Sequence, residues 1–153
     1  MTLDLHAGAN LISFYALPDE LAISSIFDGF GAGTGVMGEG VGTINIGNSD
    51  SPNWMGSLTE VSQSDGYWVK VESDVSLSVL DAEPVNYDAD GEVVYNMHQG
   101  NNLISYPYAI DQELSDAIPS VGFYGVAGEG IAAIALPDEY PAKIPSSFAK
   151  RRA

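Results

Sequence analysis

Leu5-His6-Ala7-Gly8-Ala9-Asn10-Leu11-Ile12-Ser13-Phe14 returns later in the chain as Met97-His98-Gln99-Gly100-Asn101-Asn102-Leu103-Ile104-Ser105-Tyr106. His, Gly, Asn, Leu, Ile and Ser keep a constant offset of 92 residues, from His6 to His98. A copied stretch is a copied supersecondary unit, so the fold follows from what one unit builds. Around the first copy, Leu3, Leu5, Leu11, Ile12 and Phe14 flank a Gly-containing turn, a pattern that predicts a strand–turn–strand hairpin. Pro18 closes it, because proline cannot donate to a ladder.

Beyond the hairpin, Leu17, Leu21, Ile23, Ile26, Phe27 and Phe30 recur at roughly helical spacing, with Asp19 and Glu20 at the N-terminal end. Acids favour a helix N-terminus, so a short helix is expected over residues 19–28. Thr43-Ile44-Asn45-Ile46, Trp54-Met55-Gly56-Ser57-Leu58, Tyr67-Trp68-Val69-Lys70-Val71 and Val75–Leu80 read as strands. The second copy predicts a hairpin ending at Pro107 and a helix from Glu113 to Ile118. Gly125-Val126-Ala127-Gly128-Glu129-Gly130-Ile131 then repeats Gly35-Val36-Met37-Gly38-Glu39-Gly40-Val41 at an offset of 90. After Leu136 nothing matches Trp54–Leu58 or Tyr67–Val71. The expected fold is therefore α+β, mainly β, in two tandem related units, the second truncated. The first unit spans residues 2–83, a linker 84–92, the second unit 93–136 and a basic tail 137–153.

Composition narrows the function classes. The 153 residues carry 21 acids and 5 bases, for a net charge of −16. Four of the bases, Lys143, Lys150, Arg151 and Arg152, fall in the last eleven residues. So acidic a body repels phosphate backbones, which argues against nucleic-acid binding. There is no cysteine, hence no disulfide and no thiolate metal site. Met1-Thr2-Leu3-Asp4 lacks the basic and apolar regions of a signal peptide, and no run of 18 apolar residues predicts a membrane span.

Gly-x-Asn-Leu-Ile-Ser, then Trp-x-Gly-Ser-Leu, then Gly-Tyr-Trp-Val-Lys resembles a β-rich repeat module of secreted, cell-surface and phage-associated bacterial proteins, many of them marine. The matching residues are Gly8, Asn10, Leu11, Ile12 and Ser13, then Trp54, Gly56, Ser57 and Leu58, then Gly66 through Lys70. The second unit matches through Gly100, Asn102, Leu103, Ile104, Ser105 and its Gly-Glu-Gly loop, and lacks the Gly-Tyr-Trp strand. The resemblance spans about residues 3–136 and implies a displayed, non-catalytic module on a virion or an extracellular surface.

Each candidate site has a bland alternative. Asn86-x-Asp88-x-Asp90-Gly91 matches the opening of a calcium loop, but position twelve is Met97 instead of glutamate. Calcium at Asn86, Asp88 and Asp90 is the best-supported metal reading, against an Asx-rich turn; no other cofactor is expected. Trp54, Tyr67 and Trp68 could stack on a sugar, and strand alternation turns one of Tyr67 and Trp68 outward. His6 and His98 are too few to hold zinc and read as turn residues. Glu39 and Glu129 sit in matching Gly-Glu-Gly turns. A carboxylate pair for glycoside hydrolysis is conceivable there, but tight turns explain the tripeptides better. Ser13 and Ser105 have no nucleophile elbow around them, so no catalytic residue is assigned.

The leading expectation is a structural or adhesive β module of a virion appendage, fibre or capsid decoration, or of a cell surface. Its partners would be other copies of itself or other virion or surface proteins. The alternative is a carbohydrate-binding module; an enzyme has least support. The truncated second unit should leave an unpaired edge, and so should pack on the first unit or join another chain.

Overall fold

In the computed structural model, residues 1–84, 94–118 and 122–135 are described. Antiparallel strands dominate and the helices are single turns, so the α+β, mainly β class holds. The chain divides into two compact units, Met1–Ala109 and the residues from Ile110 onward.

The predicted first hairpin is not a hairpin. Strand β1 (Thr2–Leu5) pairs with β8 (Val75–Ser78), and β2 (Gly8–Ser13) pairs with β7 (Gly66–Val71). Leu5 lies opposite Val75 and Gly8 opposite Val71, so the two ladders are one antiparallel ribbon bent at a corner. At the corner His6 and Ala7 face the three residues 72–74, and an extra residue on one side bends a ribbon and raises its twist. Gly8 takes φ 106° there, a region that costs little without a Cβ. The buried Asn10 satisfies the backbone that the bend leaves unpaired. It accepts from the His6 N–H at 2.9 Å and donates to the carbonyls of His6 (2.9 Å), Gly8 (3.3 Å) and Val69 (3.3 Å). Gly-x-Asn is thus the chemistry of a corner, turning the chain into a second sheet instead of back on itself.

The main sheet has the order β2-β7-β4-β5-β6, with β4 at Gly35–Gly38, β5 at Val41–Asn45 and β6 at Trp54–Gly56. A small ladder joins β3 (Ala16–Leu17) to β9 (Glu83–Pro84). The expected helix over 19–28 contracts to one turn, α1 (Ile23–Ile26). Its predicted N-terminal half is extended instead. Ala22 bridges to Glu60, Val61 N–H donates to Leu21 O, and Ile23 N–H donates to Thr59 O. Those backbone groups are spent before a helix can use them.

The core lies under this sheet. Tyr67, Val69 and Val71 alternate inward along β7 while Trp68 and Lys70 point out. Phe14 meets Tyr67 at 5.9 Å between ring centroids, and Phe27 meets Phe30 at 5.4 Å edge-on. Asn45 is fully buried, in the core and hydrogen-bonded on both sides of its amide.

Residues 94–109 belong to the first compact unit and form no named strand there. The corner turn is nonetheless reproduced. His98 N–H donates to Asn102 Oδ1 at 2.9 Å, Asn102 Nδ2 donates to His98 O and Gly100 O at 2.9 and 3.3 Å, and Gly100 has φ 114°. The motif encodes the turn locally, but among the described residues the ladder partners that β1 and β2 find in β8 and β7 have no second copy. The predicted second hairpin therefore does not form among the described residues.

The second unit holds a helical turn, α2 (Leu114–Ala117), and a hairpin of β10 (Gly125–Gly128) with β11 (Ile131–Ile134). The β10–β11 register, Gly125 opposite Ile134 through Gly128 opposite Ile131, repeats β4–β5 residue for residue at the offset of 90. Gly40 and Gly130 both take φ 72°, so the Gly-Glu-Gly tripeptides are tight turns.

Candidate functional site

The most distinctive surface is the outward face of the five-stranded sheet. Across it, Ala9, Lys70, Gly35, Ile44 and Met55 stand in one row and Leu11, Trp68, Met37 and Gly42 in the next. Met37, Ile44 and Met55 are about half exposed, and Trp68 is 36% exposed. Neither row contains an acid, and its one cation, Lys70, is held by Glu72 at 2.7 Å. On a chain of net charge −16, an acid-free apolar face is a conspicuous exception.

The three aromatics proposed as a sugar platform do not share this face. Trp68 stands on it. Tyr67 points the other way and is 1% exposed, so its ring is not presented on this face. Its hydroxyl accepts from the Ser62 N–H at 2.7 Å, and burial pushes its pKa up to about 12. Trp54 is half-buried, its ring 6.0 Å from that of Phe27. Alternation along β7 foretells one outward aromatic; which one follows from the side that Phe14 and Val69 occupy. Asn86, Asp88 and Asp90 lie outside the described residues, and among the described residues no cluster of three His, Cys, Asp or Glu could hold a metal ion.

A second feature was not anticipated. Glu39, in the β4–β5 turn, accepts from the Leu103 N–H at 2.7 Å with one carboxylate oxygen and pairs with His98 Nε2 through the other. The first unit's turn thereby grips the second copy of the corner motif. Nearby, Gly66 N–H donates to Leu103 O at 3.2 Å, Ser105 N–H donates to Ser64 O at 3.1 Å, and the buried Ser105 hydroxyl bonds Gln63 O. A cavity of about 290 Å³ opens beside this seam, bordered by Glu39, Asp65, Tyr67, Tyr95, Leu103 and Ile104. The sequence signal was present in the repeated Gly-Glu-Gly and the repeated His. Their meeting across 59 residues was not legible.

The Glu39–His98 pair makes the grip pH-dependent. The Gln99 carbonyl on its Nδ1 and then Glu39 hold His98 above its ordinary value of 6.5. The Leu103 N–H and then His98 hold Glu39 below its ordinary 4.5. Stability from a raised histidine is complete below 6.5 and lost as pH climbs through its folded value. Stability from a depressed carboxyl is complete above 4.5 and lost as pH drops through its folded value. The seam should be tightest between those two ordinary values and weaken with salt, since both groups are exposed. An NMR titration of His98 checks this: Glu39→Gln should move its pKa part of the way back down, and an unmoved titration would refute the contact.

Comparison with known protein families, curated proteins and solved structures finds no match. Among the described residues no helix is long and apolar enough to cross a membrane.

Proposed function

We propose that this chain is a non-catalytic structural module, displayed on a virion or a cell surface, that works by assembly or adhesion through the outer face of its main sheet. One observation supports this above others: the rows through Trp68 and Ile44 are acid-free and, apart from Lys70, uncharged, on a strongly acidic chain. Self-repulsion opposes contact through any acid-rich surface, whereas the two rows of this face carry no carboxylate of their own, and Glu72 beside them is paired with Lys70. The partner is another copy of the chain or another protein of the same assembly. The virion or surface setting rests on the resemblance of the Gly-x-Asn-Leu-Ile-Ser, Trp-x-Gly-Ser-Leu and Gly-Tyr-Trp-Val-Lys motifs.

Sedimentation of the full chain against concentration and salt tests the reading. Association should strengthen with salt and disappear in Met37→Asp, which puts an acid at the centre of the face. A chain that stays monomeric at millimolar concentration in high salt removes self-assembly through this face. Glycan binding is the second reading, favoured by the partly exposed Trp68 on the outer face of β7. It requires Trp68 fluorescence to respond to a glycan and binding to vanish in Trp68→Ala.

A further inference from the structure

Strand β7 is covered along both edges, but by unequal means. On one edge β2 runs its full length, with Ser13 opposite Gly66. On the other, β4 pairs Gly35 with Lys70 and Met37 with Trp68, and ends at Gly38 where the Gly38-Glu39-Gly40 turn begins. Asn45 N–H donates to Thr34 O at 2.8 Å, so residue 34 turns its backbone groups toward β5. Backbone groups alternate sides along an antiparallel strand, so Gly35 and Met37 turn theirs toward β7. Lys70 and Trp68 answer them, and Gly66 and Ser64 continue that line past the end of β4. Residues 103–105 take it up. Gly66 N–H donates to Leu103 O at 3.2 Å, Ser105 N–H donates to Ser64 O at 3.1 Å, and Asp65 lies opposite Ile104. The two Leu-Ile-Ser copies therefore flank the same end of β7, one on each side.

Hydrogen bonds and an ion pair fasten the second copy there. Glu39, in the turn at which β4 departs, accepts from the Leu103 N–H at 2.7 Å and pairs with His98. Ser105 is buried; its hydroxyl bonds Gln63 O and lies 3.1 Å from the Tyr95 hydroxyl. Tyr106 N–H donates to the Ser13 hydroxyl at 3.2 Å. Val94, Met97, Ile104 and Tyr108 are exposed, whereas the buried side chains of the core come from Leu5 through Val79. A segment with few buried apolar contacts opens locally at low free energy, while core strands open only with the whole unit. The approach is close at one point: a Cβ on Gly66 would lie 2.7 Å from Ile104 O.

We infer that residues 95–106 are a latch over the 64–66 edge of β7, opening and reclosing as one piece while the rest of the first unit stays folded, with the Glu39 turn as its catch. Its role is edge cover. A bare row of strand N–H and C=O groups is a template for pairing with another chain, and the latch carries the cover on from where β4 stops. The repeat thus serves two ends: the first copy bends a ribbon at a corner, and the second closes an edge. This inference rests on the seam at Glu39 and does not depend on the outer face of the sheet.

Amide exchange of the full chain, read by NMR across low urea concentrations, tests it. Gly66, Trp68 and Lys70 lie on one edge of one strand, so the strand itself does not distinguish them. After correction for intrinsic rates, protection should be about a hundredfold or more lower at Gly66, Leu103 and Ser105 than at Trp68 and Lys70. It should also depend little on urea, since local opening exposes little surface. Gly66→Ala acts from the side of β7 by driving the Ile104 carbonyl away. It should lower protection at Leu103 and Ser105 by about tenfold or more and leave Trp68 and Lys70 within about twofold. Glu39→Ala acts from the catch and should speed exchange at Gly66, Leu103 and Ser105 together, again sparing Trp68 and Lys70. Equal protection at Gly66 and Trp68 in the unaltered chain would overturn the inference. So would a loss at Trp68 and Lys70 as large as that at Ser105 in either variant, because the segment would then open only with the whole unit.

Discussion

Asn45→Ala should unfold the first unit at a markedly lower urea concentration, by roughly 3–5 kcal/mol of lost stability. The side chain is fully buried and joins three segments of backbone. Its Nδ2 donates to Phe30 O at 2.8 Å and to Gly31 O at 3.3 Å; its Oδ1 accepts from Gly47 N–H at 2.9 Å and Asn53 N–H at 2.8 Å. Alanine would leave the buried Phe30 carbonyl without its partner and strip the partly buried Gly31, Gly47 and Asn53 groups of theirs; an unsatisfied buried group costs about 1–3 kcal/mol before relaxation. With a urea slope of about 1–3 kcal/mol/M for a domain of this size, the midpoint should fall by more than 1 M. A shift under about 0.5 kcal/mol would mean that water replaces the amide, and that the loop 47–53 is not held by it.

Gly56→Ala should detach β6 from the main sheet. A Cβ at residue 56 would overlap the Gly42 carbonyl oxygen and lie 2.5 Å from Thr43 Cα. Those obstacles are backbone of a central strand, so they cannot swing aside as a side chain could. The strand must give way, taking with it the Thr43–Gly56, Ile44–Met55 and Asn45–Trp54 pairings and the Ser57 N–H bond to Gly42 O at 2.8 Å. Several kcal/mol are at stake, above the range of ordinary surface changes. The readout is Trp54, whose ring covers Phe27 at 6.0 Å. In a Trp68→Phe background its emission should shift to the red, and the amides of β5 that face β6 should exchange faster. Unchanged emission and exchange would show that the sheet accommodates the methyl.

The two substitutions mark different depths of legibility. Gly56 lies in Trp54-Met55-Gly56-Ser57-Leu58, which reads as a strand, but only the packing of β6 on β5 shows that a glycine is required there. Asn45 lies in an alternating strand and looks like any polar residue on the solvent side. Its inward direction depends on the 30–31 and 47–53 loops converging on it, which no local pattern announces.

Much of the rest divides along the same line. The strands expected at 43–46, 54–58, 67–71 and 75–80 lie within two residues of those found at 41–45, 54–56, 66–71 and 75–78, and the two Gly-Glu-Gly turns and the single outward aromatic on β7 were likewise readable, because these depend on near neighbours in sequence. The repeated stretch at 5–14 and 97–106 reads as a hairpin turn, but it is a corner in which an Asn closes on a His four residues back in both copies. What the local code could not decide was pairing. The same ten-residue stretch becomes two ladder strands at residues 5–14 and an unladdered stretch at 97–106, because the first copy meets β7 and β8 and the second meets the Glu39 turn and residues 63–66. Residues 19–28 likewise read as a helix and give one turn, because residues 59–61 claim the backbone of 21–23. The amino-acid sequence by itself determined the periods, the turns and the repeat. The tertiary structure decided which backbone groups met, since hydrogen-bond partners far apart in sequence are chosen by the packing of the whole core and not by the residues beside them.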